Sequence, residues 1–272
     1  MADVFDRYAH PIKLVLSDLD GTITADELGP LDCGGLAGLR RYNERARAER
    51  AVPPVSIVSG RPHSYVEAFA RFIATPLPSL FESGCGLHFP DRPLGREYEF
   101  HPALAEPAVV EACARFRAWA AEELLRRRGA GFIIGKQLAL SYAPSASCSV
   151  DELLAATEAM PADLRPRFIV SRSAAVVDVT PDPVDKAAGV RWLVDHLRRE
   201  RAWDLTAANV AGVGDSFNDL SFLDAVGVSC AVAGAFPEVR ARVAYCARAD
   251  TAEGVAEVVE RAIALNRRLG YT

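Results

Sequence analysis

Two aspartates, Asp18 and Asp20, close a short apolar run from Ile12 to Leu16 and are followed at once by Gly21 and Thr22. Carboxylates set this close at the mouth of a buried strand repel each other and lose solvation unless a cation or a shared proton offsets the cost. A hard divalent ion suits them, because Mg²⁺ takes oxygen ligands and needs only one or two protein carboxylates. Gly21 lets the backbone turn sharply, and Thr22 adds a short hydroxyl donor. Taken singly, the stretch also reads as a strand end with an Asp-Gly turn.

Three further clusters supply matching chemistry. Ser59-Gly60-Arg61-Pro62 offers a hydroxyl, an uncrowded backbone N–H and a helix start behind them, which together make a seat for an anion. Gly214-Asp215-Ser216-Phe217-Asn218-Asp219 brings two more carboxylates. Lys186 adds a compact positive charge; it is one of only three lysines among 31 basic residues, the others being Lys13 and Lys136. Asp18, Asp20, Asp215 and Asp219 gathered in one crevice demand a metal, and the set as a whole is suited to moving a phosphoryl group by positioning and charge neutralisation. Each cluster also has a plainer reading. Lys186 can be a first-turn surface lysine, Asn218-Asp219 can cap a short helix, and Arg61 either contacts substrate or only pairs with a surface carboxylate.

The elements that must position these residues follow from periodicity. Ile12–Leu16 and Val55–Val58 are short apolar strands, and Leu36, Leu39, Tyr42 and Ala46 recur at helical spacing between them. Val66, Phe69, Phe72 and Ile73 continue a helix that Pro62 opens, and a third strand is expected through Ser79–Glu82 and on into Leu87-His88-Phe89. Strand, helix, strand, helix, strand with short connections predicts an α/β, Rossmann-like parallel sheet with helices on both faces. Functional groups in such sheets gather beyond the carboxyl ends of the strands, where the Asp18, Ser59 and Asp215 clusters fall, while Lys186 opens the helix before the last of them.

After Pro90 the pattern changes. A long helix is expected over 102–129, a strand or hairpin over 131–142, a helix over 151–160 capped by Ser149 or Asp151, and β-prone runs over 167–170 and 174–179. This predicts an inserted α+β unit over 88–179 between two halves of the core, 1–87 and 180–272. The core resumes with a helix from Val184 to about Glu200, a strand at 209–213, a short helix over 220–225, a strand at 227–232 and a final helix from Ala252 to Leu269.

A net charge of −5 over 272 residues argues against a nucleic-acid partner. No apolar run approaches a membrane span, and 1–10 is too polar for a signal peptide, so a cytoplasmic protein with no membrane partner is expected, as a monomer or homodimer. The six cysteines are scattered without a zinc-type spacing and read as reduced thiols.

In order and spacing, DLDGT at Asp18–Thr22, Ser59 in VSGR, Lys186 in VDKAAGV and GDSFNDL at Gly214–Leu220 resemble the four motifs of the haloacid dehalogenase superfamily. The inserted unit resembles the cap of its Cof-like type IIB subgroup, which includes many sugar phosphatases. The resemblance implies that Asp18 attacks phosphorus and that Asp20 protonates the leaving alkoxide, then activates water. It also implies that Asp18, the Asp20 carbonyl and Asp215 ligate Mg²⁺ with Asp219 close by, and that Ser59, Gly60, Lys186 and Asn218 hold the phosphoryl group. An aspartate at position 20 favours a phosphatase or a phosphomutase over carbon–halogen cleavage. Glu82, before Ser83-Gly84, is expected to serve the cap hinge. Lys136, in GFIIGKQLALSYAP, lies in a stretch similar to a cap strand of trehalose-phosphate phosphatases, although Ile134-Gly135 stands where those carry an acid; it either contacts substrate or is solvated. The expected substrate is a small phosphorylated metabolite, a sugar or sugar-acid phosphate, with a phosphomutase or a non-catalytic phospho-aspartate sensor as alternatives.

Overall fold

A computed structural model describes residues 3–26, 28–172 and 176–272. The central element, β1 (Leu14–Ser17), is buried along its whole length, as a strand covered on both faces must be. It follows the short α1 (Val4–Arg7) and leads through the loop carrying Asp18 and Asp20 to α2 (Cys33–Ala46). The chain continues through β2 (Val55–Ile57) and α3 (His63–Phe72). Past the middle of the chain come α6 (Lys186–Glu200), β10 (Val210–Gly214), α7 (Leu220–Leu223), β11 (Val228–Ala231), α8 (Pro237–Arg240), β12 (Tyr245–Cys246) and α9 (Thr251–Arg268). The five strands of the sheet are parallel, in the order β12-β11-β10-β1-β2, so β1 lies between β10 and β2.

Two buried asparagines close the ends of the backbone ladder. Asn43, on α2, accepts from the Val55 N–H at 2.7 Å and donates to the carbonyls of Val55 and Ile73 at 3.1 and 2.9 Å. Asn266, on α9, does the same for the N–H and carbonyl of Ile12 and for the Ala51 carbonyl. Each satisfies backbone groups that have no water to turn to.

The third strand departs from the sequence reading. Ser79–Phe81 (β3) does not run on to residue 89 as one strand; a 3₁₀ turn at Glu82–Gly84 reverses the chain, and β4 (Gly86–His88) pairs antiparallel with β3. Glu82, Ser83 and Gly84 all have positive φ (47°, 57° and 96°), which is what folds so tight a reversal. A further strand, β5 (Tyr98–Phe100), pairs with β4 to make a separate three-stranded sheet, tied to β2 by a single parallel bridge between Val58 and Leu80.

The inserted unit carries α4 (Pro107–Ala120), prolonged by a π-helical segment at Ala121–Arg126, then β6 (Gly131–Phe132), β7 (Leu140–Ala143), α5 (Val150–Glu158), β8 (Phe168–Arg172) and β9 (Val177–Pro181). The long helix expected over 102–129 is thus divided at Glu106, where Pro107 starts α4 after a 3₁₀ turn at Pro102–Ala105. Ser149 rather than Asp151 caps α5. The expected strand over 174–179 is described from Val177 onward, residues 174 and 175 lying outside the described residues. The antiparallel order is β6-β7-β9-β8. Leu140, Tyr142, Val177 and Val179 form one buried face with Phe116, Leu124 and Leu153. Among the described residues no helix is long and apolar enough to cross a membrane.

Replacing Asn43 by the similarly sized Leu strands three buried backbone groups, so urea unfolding should show a loss of about 2–4 kcal/mol. An unchanged midpoint would mean that water reaches these groups.

Candidate active site

Parallel pairing alone brings the motifs together. Ser17 stands opposite Val213 on one side and Ile57 on the other, so Asp18, Val58-Ser59 and Gly214-Asp215 leave the sheet side by side. The Asp18 N–H donates to the Val213 carbonyl at 3.0 Å, and the Val58 N–H to the Ser17 carbonyl at 2.9 Å. Lys186 arrives from behind, as the first residue of α6, whose end is capped by Asp185 accepting from the Ala188 N–H.

The Lys186 ammonium donates to Asp18 Oδ1 at 2.8 Å and Asp219 Oδ1 at 2.7 Å, with all three side chains buried. Asp219 Oδ2 accepts from the N–H groups of Asp215 and Ser216, both at 3.0 Å, which fixes the loop after β10. Thr22 donates to Asp215 Oδ1 at 2.7 Å, and at Gly21, with φ +83°, any Cβ would collide with the Asp215 carboxylate. Oxygens of Asp18, Asp215 and Asp219 lie within 4.8 Å of one another. The Asp20 carboxylate turns away from them to Arg61, which grips it through Nε at 2.6 Å and Nη2 at 2.9 Å while its guanidinium lies over the Tyr65 ring. Arg61 therefore pairs with the motif's own second aspartate rather than with a surface carboxylate.

A family model described as haloacid dehalogenase-like hydrolase matches residues 145–259. A phosphoglycolate phosphatase of Metallosphaera sedula is 25% identical over 255 residues, 92% of this chain and 98% of that protein. Two solved structures share the fold: a HAD/COF-like hydrolase from Plasmodium vivax (TM-score 0.69, 17% identity, 94% of this chain and 96% of that one) and the sucrose-phosphatase of Synechocystis in complex with sucrose and phosphate (TM-score 0.63, 16% identity, 93% and 98%). Over residues 145–259 this chain is similar to the haloacid dehalogenase-like hydrolases.

The electrostatics of this hydrolase explain why the acids need a cation. Burial, then the neighbouring charge of Asp219, pushes Asp18 well above the carboxylate range even though Lys186 pulls it down. Burial and Asp219 likewise raise Asp215 to about 7, against the Thr22 hydrogen bond. Burial opposes the charge on Lys186, but Asp18 and Asp219 outweigh it and hold its pKa above the usual lysine value. Three carboxylates around one ammonium leave an excess of negative charge in a buried, oxygen-only donor set, which fits Mg²⁺.

Of the other sequence candidates, Ser59 is buried and accepts from the Arg61 N–H at 3.1 Å, Gly60 is beside Ser83, and Asn218 is half-buried in the turn that leads to Asp219. Lys136 is not solvated: only 6% of its side chain is exposed, and it meets Asp178 at 3.2 Å. Glu82 accepts from the N–H groups of Gln137, Leu138 and Ala139 at 2.9, 2.6 and 3.0 Å, binding the cap to the core at the expected hinge. Asp178 and Ser141, which the sequence reading passed over, stand with Lys136; the available signal was a polar residue alternating with apolar ones in both LSY and VDV.

Because the folded pKa of Asp215 lies near 7 against an ordinary 3.8, and that of Asp18 is raised too, the stability these groups give the metal-free protein is fully present below about pH 4 and lost as pH rises through about 7. Thermal melts in chelator should therefore show lower stability at pH 8 than at pH 6, with Mg²⁺ restoring it at pH 8. A metal-free protein equally stable at both, with no response to Mg²⁺, would contradict the charge argument.

Proposed function

We propose that this hydrolase is a Mg²⁺-dependent phosphatase cleaving a small phosphorylated metabolite, a sugar or sugar-acid phosphate, through an aspartyl phosphate on Asp18. One observation carries the reading: the Asp18 carboxylate stands at the end of the central strand between Lys186 and two further acids, with the anion seat of Ser59 and Gly60 one strand away. The relatives named phosphoglycolate phosphatase, which match nearly the full length of the chain, support it.

In the first step an Asp18 oxygen forms a bond to phosphorus as the ester P–O bond breaks, and Asp20 gives a proton to the departing alkoxide. In the second, Asp20 takes a proton from water, whose oxygen displaces Asp18 and releases inorganic phosphate. Lys186 neutralises and orients the nucleophile and the phosphoryl group, while Ser59, Gly60 and Asn218 donate to the phosphoryl oxygens. Arg61 sets the direction of the Asp20 carboxylate, whose remaining lone pairs accept the proton. Asp18, Asp215 and the Asp20 carbonyl would hold Mg²⁺ with Asp219 at hand, and the ion would supply charge for the phosphoryl oxygens. The inserted unit from α4 to β9 is the cap that excludes water; residues 135–139 already rest on Pro62 and Glu82 of the core.

Asp18→Asn keeps the shape and loses the nucleophile. Its turnover of p-nitrophenyl phosphate with Mg²⁺ should fall by at least about a thousandfold while the circular dichroism spectrum is retained. Turnover at the parental rate would show that Asp18 does not attack phosphorus. Release of phosphate without a bisphosphate activator separates this reading from a phosphomutase.

A further inference from the structure

The cap face turned away from the helices is polar and built. Successive residues of a strand point to opposite faces, so while Leu140, Tyr142, Val177 and Val179 meet α4 and α5, Ser141, Asp178 and Thr180 take the other side. Ser141 and Asp178 are direct partners across the β7–β9 pair, and the Ser141 hydroxyl donates to Asp178 Oδ1. Lys136 donates to Ser141 and reaches the same Asp178 oxygen at 3.2 Å. Their side chains are nearly enclosed, 6% of Lys136 and 16% of Asp178 being exposed. The backbone on both sides of Lys136 is held against the core next to the Ser59-Gly60-Arg61 turn. Gly135, at φ +95°, packs so closely on Pro62 that a Cβ would lie 3.3 Å from that ring, and the N–H groups of 137–139 end on Glu82. Pro62 closes the Ser59-Gly60-Arg61 seat, and the Glu82 N–H donates to the Arg61 carbonyl at 2.9 Å.

We propose that Lys136, Ser141 and Asp178 form the leaving-group subsite of the phosphatase described above, and that they select an uncharged polyhydroxy alcohol over one bearing a carboxylate. A hydroxyl both donates and accepts, so it can bridge the Asp178 carboxylate and the Lys136 ammonium. A carboxylate only accepts, and at this subsite it meets the Asp178 carboxylate, which the Lys136 ammonium already balances. Among the described residues, Lys136, Arg61 and Lys186 are committed to acids of the chain: Lys136 to Asp178, Arg61 to Asp20, and Lys186 to Asp18 and Asp219. The inference rests on the phosphatase reading but selects one half of its sugar or sugar-acid range.

The test is kcat/KM with Mg²⁺ for glycerol 1-phosphate, glucose 6-phosphate and 2-phosphoglycolate, with p-nitrophenyl phosphate as the reference, in the parental enzyme and in Asp178→Asn. The parental enzyme should prefer at least one of the two polyol esters over phosphoglycolate by at least about tenfold, since a site built to hydrogen-bond hydroxyls rejects a ligand that leaves its groups unpaired. Asp178→Asn keeps the size and removes the negative charge, so it should move that ratio at least about tenfold towards phosphoglycolate. Should that variant fail to fold, Ser141→Ala should lower kcat/KM for the polyol ester more than for phosphoglycolate. A parental enzyme that favours phosphoglycolate, or a folded Asp178→Asn with an unmoved ratio, overturns the subsite while the phosphatase reading stands. Absence of phosphate release from all four esters overturns that reading, and the subsite with it.

Discussion

Three buried carboxylates gathered around one ammonium are the constraint on which this molecule depends. Left to themselves, Asp18, Asp215 and Asp219 repel one another strongly enough to be driven towards protonation, and Lys186 cannot balance them all. The parallel sheet makes the arrangement possible because β10 and β1 deliver Asp215 and Asp18 to the same edge, while α6 presents Lys186 from its first turn. That unbalanced charge, in an oxygen-only donor set, is what suits the cluster to a divalent cation.

The hinge joins this charged floor to the cap through backbone geometry. Glu82 donates its N–H to the Arg61 carbonyl and Ser83 its N–H to the Ser59 carbonyl, while the Glu82 carboxylate takes three N–H groups of the cap. The Ser59-Gly60-Arg61 segment and the segment that carries Lys136 are thus one residue's hydrogen bonds apart. Burial raises the pKa of Glu82, but the three cap amides and Lys136 favour its charged form, so docking of the cap and ionisation of this acid support each other.

The core site was legible in the sequence because its chemistry admits few residue types: carboxylates, a lysine and a serine at strand and helix boundaries are visible without coordinates. The parallel pairing of β1, β2, β10 and β11 was legible too, from short apolar runs separated by amphipathic helices, although their order was not. The β3–β4 reversal was not, because the positive φ values at Glu82 and Ser83 belong to residue types that seldom adopt them, and tertiary bonds to Ser59, Arg61 and the cap hold them there. Asp178 escaped notice because its partner, Lys136, is 42 residues away and only the β7–β9 register brings the two together.

The most direct test of the charge-driven site is calorimetric titration of Mg²⁺ into the metal-free protein at pH 8, in the parental chain and in Asp215→Ala. The account predicts one divalent ion bound per parental chain and a loss of at least about a hundredfold in affinity in the variant. Absence of binding to the parental chain, or undiminished binding to Asp215→Ala, would contradict it.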